Sequence, residues 1–192
     1  MRIDSELVDS EKVLELGSGA GFMKQAIPKV ITSEILKIKG VDLEIDARQL
    51  PFEDESLDAI VMTDVFHHIP DVQLFLNEAM RVLKSGGKIV MVEPWKNSWS
   101  NFVFTRFHHE PFDSKATWEI PHSGPLSGAN GALPWIIMKR DREIFERMYP
   151  KLSISKITGL MPFSYILSGG LSFKALVPAK SFMRIRAFEK NI

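Results

Sequence analysis

Short apolar runs and one amphipathic pattern alternate along the first half of the chain. Each run is rich in aliphatic or β-branched residues and spans four to seven positions, which predicts strands rather than helices. The predicted strands are residues 13–16, 30–34, 40–45, 57–63 and 88–93. The third of these runs alternates apolar and acidic side chains, as is typical of a half-buried strand at the edge of a sheet.

Two stretches between these runs predict helices. Residues 22–26 predict only a brief helix, because Pro28 stops it. Residues 70–84 carry apolar side chains at three- and four-residue steps, and Ser85-Gly86-Gly87 is a typical helix terminator. Alternation of strands and helices with short connections favours an α/β fold, in which helices cover both faces of a mostly parallel sheet.

The pattern changes after the fifth run. Residues 95–138 hold all four tryptophans and three of the five histidines with little periodicity, and we expect an aromatic lid or an acceptor-site insertion there. The remaining residues, 139–192, predict a helix, strand patterns and a basic tail. The expected elements are a helix over 140–148, a sixth strand over 152–157, a weaker seventh strand over 171–177 and a basic amphipathic helix over 179–190.

Composition and charge narrow the classes of protein. A chain of 192 residues suits one domain with a sizeable core, and zero formal net charge gives no reason to expect nucleic acid as a partner. Charge is uneven, with a net of −6 over residues 1–98 and +6 over residues 151–192. The basic end either contacts an anionic surface such as a membrane or attracts the acidic half of the fold. The absence of cysteine excludes disulfides and thiolate metal sites, and it fits a cytoplasmic protein.

A glycine-rich turn follows the first predicted strand and opens a helix. Gly17, Gly19 and Gly21 let the backbone bend sharply and let a ligand approach it closely, and the helix start adds free N–H groups. The spacing is one residue tighter than the Gly-x-Gly-x-x-Gly of dinucleotide sites. Glu15 precedes the turn, and its carboxylate could hold the loop through backbone N–H groups or receive a ligand's ammonium group.

Further polar residues follow the next three strands. Glu34 ends the second strand, where a carboxylate accepts hydrogen bonds from ribose hydroxyls in dinucleotide enzymes. Asp46-Ala47 begins the loop after the third strand, where a carboxylate and a backbone N–H suit an adenine edge, although Asp46 also suits a cap of the next turn. Thr63 to His68 follow the fourth strand. The carboxyl ends of parallel strands share one edge, so these residues predict a nucleoside site.

The motif Glu15-Leu-Gly-Ser-Gly-Ala-Gly21 resembles the first motif of class I S-adenosylmethionine-dependent methyltransferases. Phe66-His-His-Ile-Pro-Asp71 and Arg81-Val-Leu-Lys-Ser-Gly-Gly-Lys88 resemble later motifs of the subgroup that modifies small molecules, often called type 11. The resemblance covers residues 12–94 and implies a Rossmann-like sheet of strand order 3-2-1-4-5, then 7-6, with S-adenosylmethionine as cofactor. It implies cofactor binding by Glu15, Gly17, Ser18, Gly19, Gly21, Glu34, Ile35, Asp46, Ala47, Thr63 and Asp64.

The resemblance also exposes departures from the family pattern. The segment before the first strand is short, and the last of the two strands that normally end the sheet is weak or missing here. We expect residues 1–192 to form a single methyltransferase domain. We also expect this domain to be shorter at both ends than a complete family member.

The roles of the histidines and of the tryptophans can each be interpreted in two ways. His67 and His68 suit packing or helix capping, and they are also candidate catalytic residues that could take a proton from an acceptor. The spacing of His108, His109, Glu110 and His122 matches no familiar ligand pattern, so no metal site is predicted. Trp95, Trp99, Trp118 and Trp135 suit either packing of the lid or recognition of an acceptor.

The predicted function is methyl transfer from S-adenosylmethionine to a small-molecule, glycan or lipid-linked acceptor. Two alternatives remain open at this point. One is a non-catalytic binding module that keeps the fold, and the other is a nicotinamide-dependent dehydrogenase, which the tighter glycine spacing disfavours. Peripheral membrane contact through the basic C-terminal helix is a further expectation, and the sequence leaves the oligomeric state open.

Overall fold

A five-stranded parallel sheet forms the centre of the protein. The computed structural model describes residues 3–159 and the single positions 181, 184 and 187. The strands are β1 (Val13–Leu16), β2 (Val30–Glu34), β3 (Leu43–Glu44), β4 (Leu57–Thr63) and β5 (Leu83–Val92). They lie in the order β3-β2-β1-β4-β5, and every neighbouring pair is parallel. This confirms the predicted α/β class and the strand order 3-2-1-4-5.

Helices of very different length connect and follow these strands. The α-helices are α1 (Ile3–Glu6), α2 (Met23–Ala26), α3 (Val72–Val82), α4 (Ser98–Phe107), α5 (Leu133–Trp135) and α6 (Arg142–Met148). A short 3-10 helix, Phe66–His68, follows β4, and a π-helical turn, Ile136–Arg140, joins α5 to α6. No helix within residues 3–159 is long and apolar enough to cross a membrane.

The two faces of the sheet build two hydrophobic layers, because successive residues of a strand point to opposite sides. Leu14 and Ile60 face the larger layer, where they pack with Phe75 of α3 and Phe145 of α6. The smaller layer on the other face includes Val13, Ala59 and Val61, with Met23 of α2 and Ile3 of α1 packed against it. Helices thus cover both faces, as predicted, and the sheet edge at the carboxyl ends of the strands is left for a site.

Helix α3 confirms the amphipathic pattern but ends earlier than expected. Asp71 caps it by accepting hydrogen bonds from the N–H groups of Gln73 and Leu74. The prediction of a helix as far as Lys84 is wrong, because Leu83 already pairs with Leu57 as the start of β5. The Ser85–Gly87 segment forms an irregularity within that strand rather than a terminator after the helix.

The third strand is shorter than its alternating pattern indicated. Only Leu43 and Glu44 form it, and both are exposed. The carboxylate of Asp42 accepts hydrogen bonds from the Thr32 N–H at 2.9 Å and from its hydroxyl at 2.8 Å. The Asp42 carboxylate therefore accepts the Thr32 N–H in place of the backbone carbonyl that a longer β3 would offer.

Asp42 is expected to stabilise this edge of the sheet. Hydrogen bonds from Lys24 at 2.6 Å and from Thr32 lower the pKa of Asp42 to about 2. Because this pKa lies below that of the unfolded chain, the stabilisation is complete well above pH 4 and is lost as pH falls through about 2. We expect Asp42→Asn to reduce the free energy of unfolding by about 1 kcal/mol at pH 7, after allowance for solvent screening of a partly exposed pair.

Urea denaturation at pH 7 and pH 3 measures this effect. The difference between wild type and Asp42→Asn should shrink at pH 3 to about half its value at pH 7. Asp54→Asn is the matched control, since Asp54 is 76% exposed in its ion pair with Arg81 and contributes little. Equal losses in the two variants, or a loss for Asp42→Asn that does not depend on pH, would contradict the assignment.

The second half of the chain corrects several predictions. Helix α4 was not expected, although Asn97 and Ser100 form a capping box at its start. The prediction of a sixth strand is wrong for the described residues, because residues 152–157 form no strand. Leu152 and Ile154 pack against the larger hydrophobic layer, so one-sided burial explains their alternation without strand pairing. The predicted seventh strand and the basic C-terminal helix lie outside the continuously described residues.

The predicted helix over 140–148 is present in a shorter form. It corresponds to α6, which begins after the π-helical turn, and Phe145 is its buried residue. The other two large apolar residues of this helix, Ile144 and Met148, are 48% and 45% exposed. Only one of the three apolar residues therefore anchors this helix in the core.

Candidate functional site

A cavity of about 1040 Å³ opens at the carboxyl ends of the strands. Its walls come from the ends of β1, β2, β3 and β4 and from a turn at residues 122–128. The predicted site residues that line it are Gly17, Glu34, Ile35, Asp46, Ala47, Thr63, Asp64 and His68. Residues from four separate strand ends thus meet around one space, as expected for a ligand site in a parallel sheet.

The other predicted residues lie behind this wall. Glu15, Ser18 and His67 are buried. Gly19 and Gly21 belong to the turn after β1 without lining the cavity. The Ser18 hydroxyl accepts a hydrogen bond from the Ser33 N–H at 2.9 Å, and the Ser18 N–H donates to the Ser33 carbonyl at 2.9 Å. Ser18 therefore fastens the glycine turn to β2.

Two glycines explain the sharpness of the turn. Gly17 has φ +66°, and a Cβ at this position would lie 2.3 Å from Cγ2 of Val65, so the loop after β4 packs directly on its backbone. Gly19 has φ +53°, and a Cβ there would meet no protein atom within 4 Å. Gly17 thus serves close packing within the protein, whereas Gly19 leaves open space beside the backbone.

Glu15 is an internal carboxylate with an unsatisfied atom. It is 6% exposed, and among the described residues its Oε2 has no hydrogen-bond partner. Burial raises the pKa of Glu15, the hydrogen bond with Ser18 opposes the rise, and the nearby charge of Glu34 adds to it. A buried carboxylate oxygen without a donor is costly, and a ligand's ammonium group would satisfy it.

Glu34 connects the second strand to the glycine turn. Its Oε1 accepts a hydrogen bond from the Gly19 N–H at 2.6 Å, and its Oε2 accepts a long one from the Ile35 N–H at 3.3 Å. The carboxylate lines the cavity and still has acceptor capacity, because each oxygen carries two lone pairs.

Asp46 is held by a residue that sequence reasoning missed. Arg48 binds its carboxylate through Nε at 3.0 Å and through the terminal guanidinium nitrogen at 2.6 Å. This hydrogen bonding is the main cause that lowers the pKa of Asp46. The Arg48 N–H also donates to Oδ1 at 2.9 Å, so Asp46 caps its own turn as well as lining the cavity.

Asp64 occupies an unusual backbone position at the end of β4. It has φ +53°, and its N–H donates to the Val92 carbonyl at 2.9 Å. Asp64 lines the cavity and is exposed to solvent there. Desolvation raises the pKa of Asp64 to about 6, with a further rise from the charge of Glu93 and an opposing effect from His67.

The two neighbouring histidines have different surroundings. His67 is 1% exposed, and its Nδ1 lies 2.6 Å from Glu93 Oε2. Burial lowers the pKa of His67, but the hydrogen bond and the charge of Glu93 outweigh it, so the pKa is raised overall. His68 lines the cavity, and its Nδ1 lies 3.1 Å from the Gly128 carbonyl. Only His68 is therefore placed to meet an acceptor directly.

Two glutamates lie near these histidines, of which sequence reasoning missed Glu93 and considered Glu110 only together with His108, His109 and His122. Glu93 Oε1 accepts hydrogen bonds from the N–H groups of Val65 and Phe66 at 2.8 and 2.7 Å, which fixes the loop after β4. Glu110 Oε2 lies 3.4 Å from His67 Nε2. Glu93 directly ends the fifth predicted strand, and that position at the carboxyl edge is the signal that could have identified it.

The aromatic segment contributes one wall, but not through its tryptophans. None of the four tryptophans, all within the described residues, lines the cavity. Trp118 is buried, and its indole N–H donates to Asp141 at 2.9 Å. The wall is the turn at residues 122–128, in which the Ser127 hydroxyl accepts hydrogen bonds from the N–H groups of Ser123 and Gly124. Packing therefore explains Trp118, and the turn borders the space left for an acceptor.

This architecture, a parallel sheet of order 3-2-1-4-5 with a cavity at its carboxyl edge, is a Rossmann-like fold. A solved S-adenosylmethionine-dependent methyltransferase of Thermotoga maritima shares the fold, with a TM-score of 0.52 and 19% identity, over 76% of this chain and 66% of that one. Residues 14–91, less than half of the chain, match the sequence model of the family described as a methyltransferase domain.

Curated relatives match the same part of the chain. A demethylmenaquinone methyltransferase of Thermotoga maritima is 35% identical over 104 residues, which cover 45% of this chain and 44% of the relative. One of Tropheryma whipplei is 30% identical over 99 residues, which cover 43% of this chain and 41% of the relative. The matched part thus spans less than half the length of these relatives.

Proposed function

We propose that this chain is an S-adenosylmethionine-dependent methyltransferase acting on a small-molecule acceptor. One observation carries the proposal: cofactor residues predicted from four separate strand ends line a single cavity. The curated relatives are named for a small-molecule acceptor, demethylmenaquinone, which supports this acceptor class over a macromolecule. A screen of acceptors, including glycan and lipid-linked molecules, is the experiment that identifies the acceptor.

The residues present fit this cofactor. Glu15 has a buried carboxylate oxygen without a donor among the described residues, and the cofactor's ammonium group would supply one. Gly19 leaves open space beside the backbone, which suits close approach of a ligand. Glu34 has acceptor capacity for the ribose hydroxyls, and Asp46 with Ala47 would contact the adenine edge.

The protein's share of the chemistry is mainly positioning. S-adenosylmethionine supplies an activated methyl group on a sulfonium, so the chain must orient an acceptor in line with it and exclude water. Asp64 carries a negative charge on the cavity wall and would favour the cationic part of the cofactor. His68 lies on the same wall and is the candidate to accept a proton from an acceptor, whereas the interior placement of His67 suits orientation of the loop.

Calorimetric titration of the 192-residue chain with S-adenosylmethionine, S-adenosylhomocysteine and NADH tests the proposal. We expect saturable binding of the first two compounds and none of NADH. A screen with methyl-labelled cofactor and small-molecule acceptors then tests transfer. Binding without transfer to any acceptor would favour a non-catalytic module, and binding of NADH alone would favour a dehydrogenase.

Asp64 gives the proposal a pH dependence. Because the pKa of Asp64 is raised to about 6, its side chain becomes negatively charged only as pH rises through that value. We expect affinity for S-adenosylmethionine to increase by up to about fivefold between pH 5 and pH 7.5, as the charge worth roughly 1 kcal/mol appears beside a cation. Titrations across this range measure it.

The Asp64→Asn variant isolates this effect from the other groups that titrate nearby. It should bind with the weak affinity of the protonated wild type and lose most of the pH dependence. Glu93, Glu110 and His67 also face this region and remain unchanged in the variant. A pH profile that persists in Asp64→Asn would assign the dependence to those groups instead.

A further inference from the structure

Two histidines and a glutamate meet beside the cavity although the chain separates them. His67 and His68 follow β4, and Glu110 follows α4. His67 Nε2 lies 3.4 Å from Glu110 Oε2, and His68 Nε2 lies 3.5 Å from Glu110 Oε1. One nitrogen or oxygen of each of the three residues lies within 4.8 Å of the others. Prediction from spacing found no metal pattern, because it compared Glu110 only with residues close to it in sequence.

These distances fit metal coordination better than hydrogen bonding. Charge-assisted N–H···O bonds are about 2.7–2.9 Å long, so 3.4 and 3.5 Å are too long for strong ones. Ligand atoms about 2.0–2.1 Å from a tetrahedral zinc ion lie roughly 3.3–3.4 Å apart. The two separations, each to a different oxygen of Glu110, lie close to this value, and the three candidate ligand atoms lie within 4.8 Å of one another.

The orientation of both rings supports the same conclusion. The Nδ1 of His67 faces Glu93 Oε2 at 2.6 Å, and the Nδ1 of His68 faces the Gly128 carbonyl at 3.1 Å. A metal ion at Nε2 requires the ring proton on Nδ1, and in both rings an oxygen that can accept this proton lies close to Nδ1. Metal-binding histidines are held in this way by carboxylates and backbone carbonyls.

The charge around Glu110 and the position of His68 at the cavity also support a bound ion. The ion pairs that Glu110 forms with described residues are all to histidines, and its other two neighbours are His108 at 3.8 Å and His109 at 3.6 Å. The carboxylates of Glu93, Glu110 and Asp64 all act on His67, so the cluster carries more negative charge than one imidazolium would balance. Since His68 lines the cavity, an ion bound to it would lie at the cavity wall.

We propose that His67 Nε2, His68 Nε2 and the carboxylate of Glu110 bind a divalent transition metal ion of the zinc type. In many zinc sites, two histidines and one carboxylate are the three protein ligands, and the fourth position stays open for water or a substrate oxygen. The open position here would serve an acceptor that carries an oxygen donor, and His68 would then act as a ligand rather than as a base. Binding of the ion does not require the cofactor, whereas the role of the open position rests on the proposed function.

Titration of the metal-stripped chain with zinc chloride, and with cobalt chloride followed by visible absorption, tests the proposal without any cofactor. We expect one zinc ion per chain, release of protons, and the spectrum of tetrahedral cobalt. Glu110→Gln and His68→Gln should each weaken zinc binding by more than about 100-fold, since even loss of a supporting residue costs about 10–100-fold. Magnesium, which prefers oxygen ligands, should not compete.

His122→Gln is the matched control, because His122 lines the same cavity but its Nδ1 faces the Ile120 carbonyl, away from Glu110. It should bind zinc as the wild type does. Circular dichroism of each variant confirms folding before titration, and buried His67 is left intact for that reason. The proposal is overturned if the wild type shows no saturable zinc binding, or if Glu110→Gln and His68→Gln bind zinc as tightly as His122→Gln.

Discussion

Replacing Gly17 by alanine is expected to weaken binding of S-adenosylmethionine by at least about 100-fold, because misplacing a positioned loop by about 1 Å costs this much. The new Cβ would lie 2.3 Å from Val65, so the glycine turn and the loop after β4 must separate. The backbone also has φ +66°, which a residue with a side chain rarely adopts. Strain and displacement together should lower the free energy of unfolding by about 3 kcal/mol.

The Gly86→Ala variant separates the effect of backbone strain from the effect of the contact with Val65. Gly86 has φ +78°, but a Cβ there would meet nothing within 4 Å, and it does not line the cavity. This control should lose only the backbone contribution of about 1–2 kcal/mol and keep its affinity for the cofactor. Calorimetry and urea denaturation of both variants provide the comparison. If Gly17→Ala binds the cofactor as tightly as Gly86→Ala, the packing of the two loops is not what forms the site.

Replacing Glu34 by glutamine is expected to weaken cofactor binding by about 100-fold with little change in stability. Hydrogen bonds from hydroxyls to a charged carboxylate contribute roughly 1.5–3 kcal/mol, and each 1.4 kcal/mol is about tenfold in affinity. The glutamine oxygen can still accept the hydrogen bond from the Gly19 N–H, so the turn should keep its shape. Titration with S-adenosylhomocysteine and a thermal melt measure the two quantities.

Glu44→Gln controls for the loss of one negative charge at the cavity. Glu44 lines the same space from β3 and is exposed, so its charge is screened by solvent. Its replacement should change affinity by less than about fivefold. Similar losses in Glu34→Gln and Glu44→Gln would point to general electrostatic attraction and against recognition of ribose hydroxyls by Glu34.

The meeting of Glu34, Asp46 and Thr63 at one cavity was predictable because it depends on local order along the chain. Glu34, Asp46 and Thr63 each follow an apolar run, and strands in a parallel sheet bring their carboxyl ends to one edge. Periodicity also located α3, since its buried residues recur at helical spacing. The predicted strand order followed from the family resemblance and is confirmed by the sheet.

The remaining parts depend on contacts between distant residues. Glu93 lies 26 residues from His67, and Glu110 lies 43 residues from it, so no local pattern reveals their meeting. Arg48 follows Asp46 closely, but only the folded turn brings its guanidinium onto that carboxylate. The alternation at residues 152–157 predicted a strand because one-sided burial and strand pairing produce the same pattern.

A crystal structure of the 192-residue chain with S-adenosylhomocysteine tests the central claim most directly. The account predicts ligand density in the cavity at the strand ends, with ribose hydroxyls on Glu34, the adenine beside Asp46 and Ala47, and the amino-acid end toward the glycine turn. Ligand density elsewhere on the protein would contradict this prediction. An empty cavity in crystals grown with saturating ligand would also contradict it.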